Sequence, residues 1–358
     1  MASNHQNPAS PSDPLTDVPL ATRVRRQGAT GPAGQPGTIR IVAFEGGTVH
    51  ETEGTAALTR LREHLGRPDA AVWVDLVAPT PAQAKQVGET LGLHPLIVED
   101  VLEGNQRAKI ETTDGIVHIV LFHLSYSDIV IASELDIVLG QGFLLTVHNV
   151  DWDPRTGHHL ASGVGPVLKS GPDHLLWAIA DDLVDGYFPF ADRIGDAIDD
   201  VQDEVVRKAT PDTVERLFKL KRELIQVRRA ISPVREVFNQ LTNREVGPIA
   251  EAHVVYFRDV YDHLIRVTDE LDNYRELVAG TLDIYLTIVN NNLSIIMKRL
   301  TGVTVILAGI GAVAGIFGMS EAATAINGGE GGGFWVITAI VVGAAAVAAV
   351  VLRRIDWI

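Results

Sequence analysis

The chain has 358 residues, 46% of them hydrophobic, with a formal charge of −15 and no cysteine. That length suits about two domains of soluble size. The acidic balance argues against a nucleic-acid partner, which needs a basic surface, and the lack of cysteine removes disulfides, thiolate zinc sites and cysteine nucleophiles.

Residues 1–37 are rich in Pro, Ala, Ser and Gly, with a small basic patch at Arg23, Arg25 and Arg26. Such a composition buries too little apolar surface to offset ordering, so a disordered tail is expected. The N-terminus has no apolar run, so no signal peptide is expected. Residues 38–171 read as an α/β domain. Strand patterns run over Thr38–Phe44, Ala71–Val77, Ile116–Leu124 and Leu135–Thr146, with helical patterns over Thr55–Leu65, Pro81–Leu91 and the segment HPLIVEDVL that follows. No glycine-rich phosphate loop stands at a strand end.

From 172 to 299 the pattern is helical. Pro172–Lys208 reads as an acidic amphipathic helix, carrying Asp181, Asp182, Asp185 and further acids to Glu204. Pro211–Thr242 reads as a second helix, with Thr210 as N-cap and Pro211 at the first helical position. A third begins near Ile249 and runs without proline into an apolar stretch. A helix of some seventy residues is about 105 Å long, more than a globular core uses and suited to a stalk on a membrane.

Residues 300–319 and 334–352 are uncharged apolar runs, each able to cross a hydrocarbon core of about 30 Å. Lys298 and Arg299 precede the first and Arg353 and Arg354 follow the second, while the loop 320–333 has no Lys or Arg. The positive-inside rule then places both termini, with the tail 353–358, in the cytoplasm. Glycines in the first run and the segment GAAAVAA in the second signal close helix packing. Asn290, Ser294, Met297, Thr301, Thr304 and Ala308 share one helical stripe. Such a stripe suits both the lining of a water-filled path and hydrogen-bonded helix packing.

The motifs YFRDVYDH (256–263), LDIYLTIVNNNLSIIMKRLT (282–301), AGIFGMS (314–320), WVDLVAPT (73–80), HPLIVEDVLEGNQRAKIE (94–111) and LLTVHN (144–149), with the ending LRRIDWI, resemble the CorA family of divalent metal-ion (magnesium/cobalt) transporters. The resemblance covers nearly everything after residue 38. It implies an α+β membrane protein: a cytoplasmic α/β domain, a stalk continuous with the first of two transmembrane helices, and a funnel-shaped homopentamer in the cell membrane. It further implies a channel for Mg²⁺, with Co²⁺ and Ni²⁺, driven by the membrane potential. A branch of the family carries Zn²⁺.

The positions matching the family's regulatory carboxylates, which bind Mg²⁺ between subunits, are Asp100 with Asp283 and Glu99 with Asp259. Carried-over pore positions are Asn290, Ser294, Met297, Leu300, Thr301 and Ala308, ending at Gly318, Met319 and Ser320. The last three replace the family's usual Gly-Met-Asn, and a serine ring would be wider and less discriminating. A weakly conducting cation sensor or scaffold is therefore the rival from another class. An enzyme is not expected, because the twelve histidines look dispersed along the chain. The same dispersal, with the lack of cysteine, argues for Mg²⁺ over Zn²⁺.

Overall fold

The computed structural model describes residues 25–27, 37–67, 69–104, 106–126, 130–243, 246–318 and 332–354. Two compact units emerge: one of residues 1–201 with 215–278, the other of 202–214 with 279–358.

The first unit is built on a mixed sheet. Its strands are β1 (Arg25–Gln27), β2 (Thr38–Glu45), β3 (Thr48–Glu53), β4 (Ala71–Val77), β5 (Lys109–Thr113), β6 (Ile116–Tyr126), β7 (Val130–Gly140) and β8 (Phe143–His148). The order is β3-β2-β4-β8-β7-β6-β5, with β1 parallel to β7. Neighbours are antiparallel except for β4 beside β8. Every residue of β8 is buried, as expected of a strand covered on both faces.

Alternation along the strands divides the layers. Ile39, Ile41, Val72, Val74, Leu76, Phe143, Leu145 and Val147 face a core closed by α1 (Ala57–His64), α2 (Pro81–Leu91) and α3 (Pro95–Glu103). Trp73, Asp75, Thr146 and His148 alternate with them, and α4 (Val164–Leu168) and α5 (Pro172–Asp185) pack over that second face. There Trp73 Nε1 donates to Thr146 Oγ1 at 2.9 Å, and Thr146 Oγ1 donates to Asp75 Oδ1 at 2.7 Å.

Several expectations change in detail. Arg25–Gln27, inside the expected disordered tail, form a three-residue strand. The expected strand 135–146 is two strands, because Gln141 and Gly142 make a two-residue turn pairing Gly140 with Phe143. Gly142 adopts φ +80° there, which glycine takes without steric cost. The expected helix 172–208 breaks at Gly186 into α5 and α6 (Tyr187–Lys208).

Downstream, α7 spans Pro211–Asn243 and α8 spans Val254–Gly318, followed by α9 (Gly332–Arg354). Thr210 caps α7 as expected, its Oγ1 accepting from the Thr213 amide at 3.4 Å. α8 is one unbroken helix of 65 residues, about 98 Å long. Its first part, to Val278, belongs to the first unit and the remainder to the second. In the second unit Gln202 Nε2 donates to Thr281 Oγ1 at 2.9 Å. There Ile306, Gly309 and Ile310 of α8 line a groove with Val341, Ala344 and Ala345 of α9, the close approach that small residues permit.

Candidate cation sites

Four carboxylates were singled out by sequence. Glu99 and Asp100 lie on α3, and Asp259 and Asp283 on α8. The expected pairs join different subunits, so a single chain neither makes nor breaks them. What one chain does show is the company each keeps. Lys109 Nζ holds Asp100 Oδ2 at 2.5 Å and Gln106 Nε2 donates to Oδ1 at 3.4 Å. Glu99 is exposed beside an apolar groove lined by Leu93, Val98 and Leu102.

Asp259 has richer surroundings. Its carboxylate, that of Asp181 and a ring nitrogen of His263 lie within 4.8 Å of one another, close enough to share a cation. His263 Nδ1 pairs with Asp185 Oδ1 at 3.0 Å. Two helices build this set by the same rule: Asp259 and His263 are four apart on α8, and Asp181 and Asp185 are four apart on α5, so each pair shares a face. Asp181 is 6% exposed, and its Oδ1 has no hydrogen-bond partner. A buried carboxylate oxygen without a donor is costly, and a hydrated divalent ion would supply the missing partner. Sequence reading placed Asp181 and Asp185 on an acidic amphipathic helix among many other acids. The paired i, i+4 spacing was the signal that could have separated them from their neighbours.

The histidines are not dispersed in space, which corrects the sequence expectation. His158 and His159 meet with ring centroids 3.8 Å apart, His159 touches Trp177 at 4.5 Å, and His174 joins Trp177 and His253 at 4.8 and 4.9 Å. The fold gathers them by laying the loop after β8 and the 3₁₀ turn Glu251–His253, just before α8, against α5. His253 ties the segment before α8 to α5: its Nδ1 pairs at 2.7 Å with Asp173 Oδ2, which also accepts from the Ala250 amide. Burial, with His253 adding to it, keeps His174 below its ordinary range.

In the second unit the candidate pore residues Asn290, Ser294, Met297, Leu300, Thr301 and Ala308 are all exposed on the single chain. Ser294 Oγ donates to the Asn290 carbonyl at 3.0 Å and Thr304 Oγ1 to the Leu300 carbonyl at 2.8 Å. Both hydroxyl protons are thereby committed to the helix, and what faces outward is oxygen lone pairs. Gly318 closes α8, and Met319 and Ser320 lie outside the described residues. Among the described residues, the helix running to Ile316 is long and apolar enough to cross a membrane.

Comparison with known proteins gives the family. Residues 68–354 match the profile of the CorA-like Mg²⁺ transporter protein family. The chain is 36% identical over 242 residues to the cobalt/magnesium transport protein CorA of Thermotoga maritima, spanning 66% of this chain and 69% of that one. It is 31% identical over 117 residues to the zinc transport protein ZntB of Cronobacter sakazakii, covering 32% and 34% of the two chains. The solved structure of the CorA magnesium transporter from Methanocaldococcus jannaschii superposes with TM-score 0.72 at 21% identity, over 89% of this chain and 98% of that one. The chain belongs to the CorA-like Mg²⁺ transporter family, whose members are membrane transporters of divalent cations and not enzymes.

Proposed function

We propose that this chain is the subunit of a homopentameric channel for divalent cations, Mg²⁺ foremost with Co²⁺ and Ni²⁺ accompanying it. Two spans, α8 beyond about residue 300 and α9, cross the cell membrane with both termini cytoplasmic. The observation that carries the reading is the exposed stripe on α8, where Ser294 and Thr304 turn hydroxyl oxygens outward with their protons already used. A ring of such acceptors, with Asn290 and Thr301, accepts hydrogen bonds from the water shell of a cation and offers little to an anion. Met297 and Leu300 form the apolar constriction and Gly318, Met319 and Ser320 the outer mouth. Inward flow needs no nucleotide, since a membrane potential of 100 mV supplies about 2.3 kcal/mol per elementary charge.

Cytoplasmic divalent ions bound between subunits at Glu99, Asp100, Asp259 and Asp283 hold this pore closed. Asp181 and His263, grouped with Asp259 in the single chain, complete the ligand set at that position. Mg²⁺ keeps several waters and takes only one or two carboxylates, so such sites respond to millimolar ion.

A second reading is favoured by the gathered histidines and the zinc-carrying relative: a Zn²⁺-conducting member of the family. Flux of Mg²⁺ and Zn²⁺ into proteoliposomes under an imposed potential, for wild type and Ser320→Asn, decides among the readings. Selective Mg²⁺ uptake by wild type is the expected result. Selective Zn²⁺ uptake transfers the assignment to zinc. No wild-type flux, with flux gained in Ser320→Asn, replaces the channel with a cation sensor or scaffold.

A further inference from the structure

The loop after β8 carries chemistry that the proposed channel does not use. It makes two 3₁₀ turns, Pro154–Thr156 and His158–Leu160, and the second rests on the carboxylate of Asp182 in α5. That side chain is 5% exposed and pairs with His158 Nδ1. Its oxygens accept from the backbone amides of His158 at 3.1 Å and His159 at 3.4 Å. Gly157 makes the approach possible, because a Cβ there would collide with the carboxylate.

The consequence is a convergence of donors. One ring nitrogen each from His158 and His159 and one oxygen of Asp182 lie within 4.8 Å of one another. Asp181, the residue before it, adds a second observation, although it also borders the Asp259 set. It is nine-tenths buried and its Oδ2 stands 2.7 Å from His159 Nε2. Its Oδ1 has no hydrogen-bond partner, and its carboxylate falls within 4.8 Å of a His158 ring nitrogen in a further ligand group with Asp185. A carboxylate against the far side of an imidazole is the usual device that orients metal-ligating histidines. Among the described residues, the ion pairs these two buried acids make are with His158 and His159 alone. Adjacent buried negative charges are costly without a cation.

We propose that His158, His159 and Asp182 form a metal site adjoining the Asp259 set across Asp181 but with its own ligands, taking a borderline divalent cation of the Zn²⁺, Co²⁺, Ni²⁺ class. Two imidazoles and one carboxylate supply three protein ligands, leaving a fourth position to water, an arrangement zinc commonly accepts. The donors of a tetrahedral zinc site stand about 3.3 Å apart, so small rotations of two imidazoles close the set. Mg²⁺ is refused on chemical grounds: it prefers oxygen and parts with its waters reluctantly. The site therefore discriminates against the ion that the carboxylates on α8 favour.

The test uses the untagged full chain in detergent, with excess Mg²⁺ present throughout. X-ray absorption of wild type loaded with one equivalent of Zn²⁺ is expected to show imidazole in the coordination shell. Zn²⁺ affinity is expected to fall at least about tenfold in His158→Ala/His159→Ala, by the loss of ligands, and not to fall in Asp259→Asn. An oxygen-only shell in wild type overturns the proposal. So does unchanged affinity in the double variant with a wild-type thermal melt. If the double variant does not fold, the wild-type spectrum decides alone. No readout here is flux, so failure of this site leaves the channel reading standing, and the reverse holds.

Discussion

His148 ends β8 on the sheet face beneath α5, almost wholly buried, with Trp152 edge-to-face against its ring at 6.0 Å and polar partners on both nitrogens. Its Nε2 lies 3.0 Å from Asp75 Oδ1, and its Nδ1 lies 2.7 Å from the Asn149 carbonyl. Asp153 adds negative charge nearby, and Arg40 bridges Asp75 and Asp153 at 3.4 and 3.2 Å. Burial is the largest influence and opposes charge on the imidazole, but Asp75, the Asn149 carbonyl and Asp153 together outweigh it and leave the pKa of His148 above its ordinary value. A raised histidine stabilises the fold fully below the unfolded pKa of about 6.5, and that stabilisation is lost as pH rises through the folded value. The thermal midpoint of wild type should therefore fall between about pH 6 and pH 9 by more than that of His148→Gln. Equal pH slopes in the two proteins would remove His148 from the account. None of this was legible from sequence. The expected strand stopped at Thr146, and only the parallel register of β4 on β8, pairing Asp75 with Thr146 and Val77 with His148, puts the partners together. The same applies to Asp182, one acid among many until a loop folds onto it.

At the scale of elements, the sequence was most readable where a buried face sets the period. β4 and α2 fall on the expected residues, the latter with a capping box in which Thr80 and Gln83 satisfy each other's amides. Edge elements were missed for a physical reason. β3 (TVHETE) and β5 (KIETT) have little or no buried face, so alternation is faint. Only their turns betray them: Gly46–Gly47 and Asp114–Gly115 all take positive φ, as two-residue hairpins require. The break at Gly186 matters more for function, because it ends α5 just after Asp181, Asp182 and Asp185. Asp181 belongs to the ligand group with Asp259 and His263, and its Oδ2 also pairs with His159. A dication held by His158, His159 and Asp182 would stand close to one held by the Asp259 group, and like charges in a partly buried setting repel strongly. Saturating Zn²⁺ is thus expected to weaken Mg²⁺ binding at the Asp259 group several-fold, and Mg²⁺ to weaken Zn²⁺ equally, since coupling between sites is reciprocal. Isothermal titration of Mg²⁺ with and without Zn²⁺ measures it. A Zn²⁺ effect that persists in His158→Ala/His159→Ala would assign the interference to direct competition at the Asp259 group instead.

For the molecule as a whole, the long helix was the most legible feature and its company the least. A proline-free helical pattern entering an apolar run predicted α8 to within a few residues of its start at Val254. Nothing in a single sequence shows what covers Leu293, Ile296, Met297, Leu300 and Val303, each 45% exposed or more. Apolar surface on that scale is covered by lipid or by other subunits. The two roles left open for the polar stripe, pore lining and helix packing, separate by experiment. Replacing Thr304 with valine keeps its shape and removes only the hydroxyl that now donates to the Leu300 carbonyl. If that oxygen faces a hydrated ion, a ring of acceptors is lost at one level of the pore. Mg²⁺ flux per channel in proteoliposomes should then drop on the order of tenfold, the effect of about 1.4 kcal/mol, comparable to one hydrogen bond, with assembly unchanged on native gels. If the hydroxyl serves packing, the order reverses: the oligomer melts at lower temperature while channels that do assemble conduct as before. Ser294→Ala, ten residues nearer the stalk with the same back-bonded hydroxyl, should follow whichever pattern Thr304→Val sets, because both oxygens lie on one face of one helix.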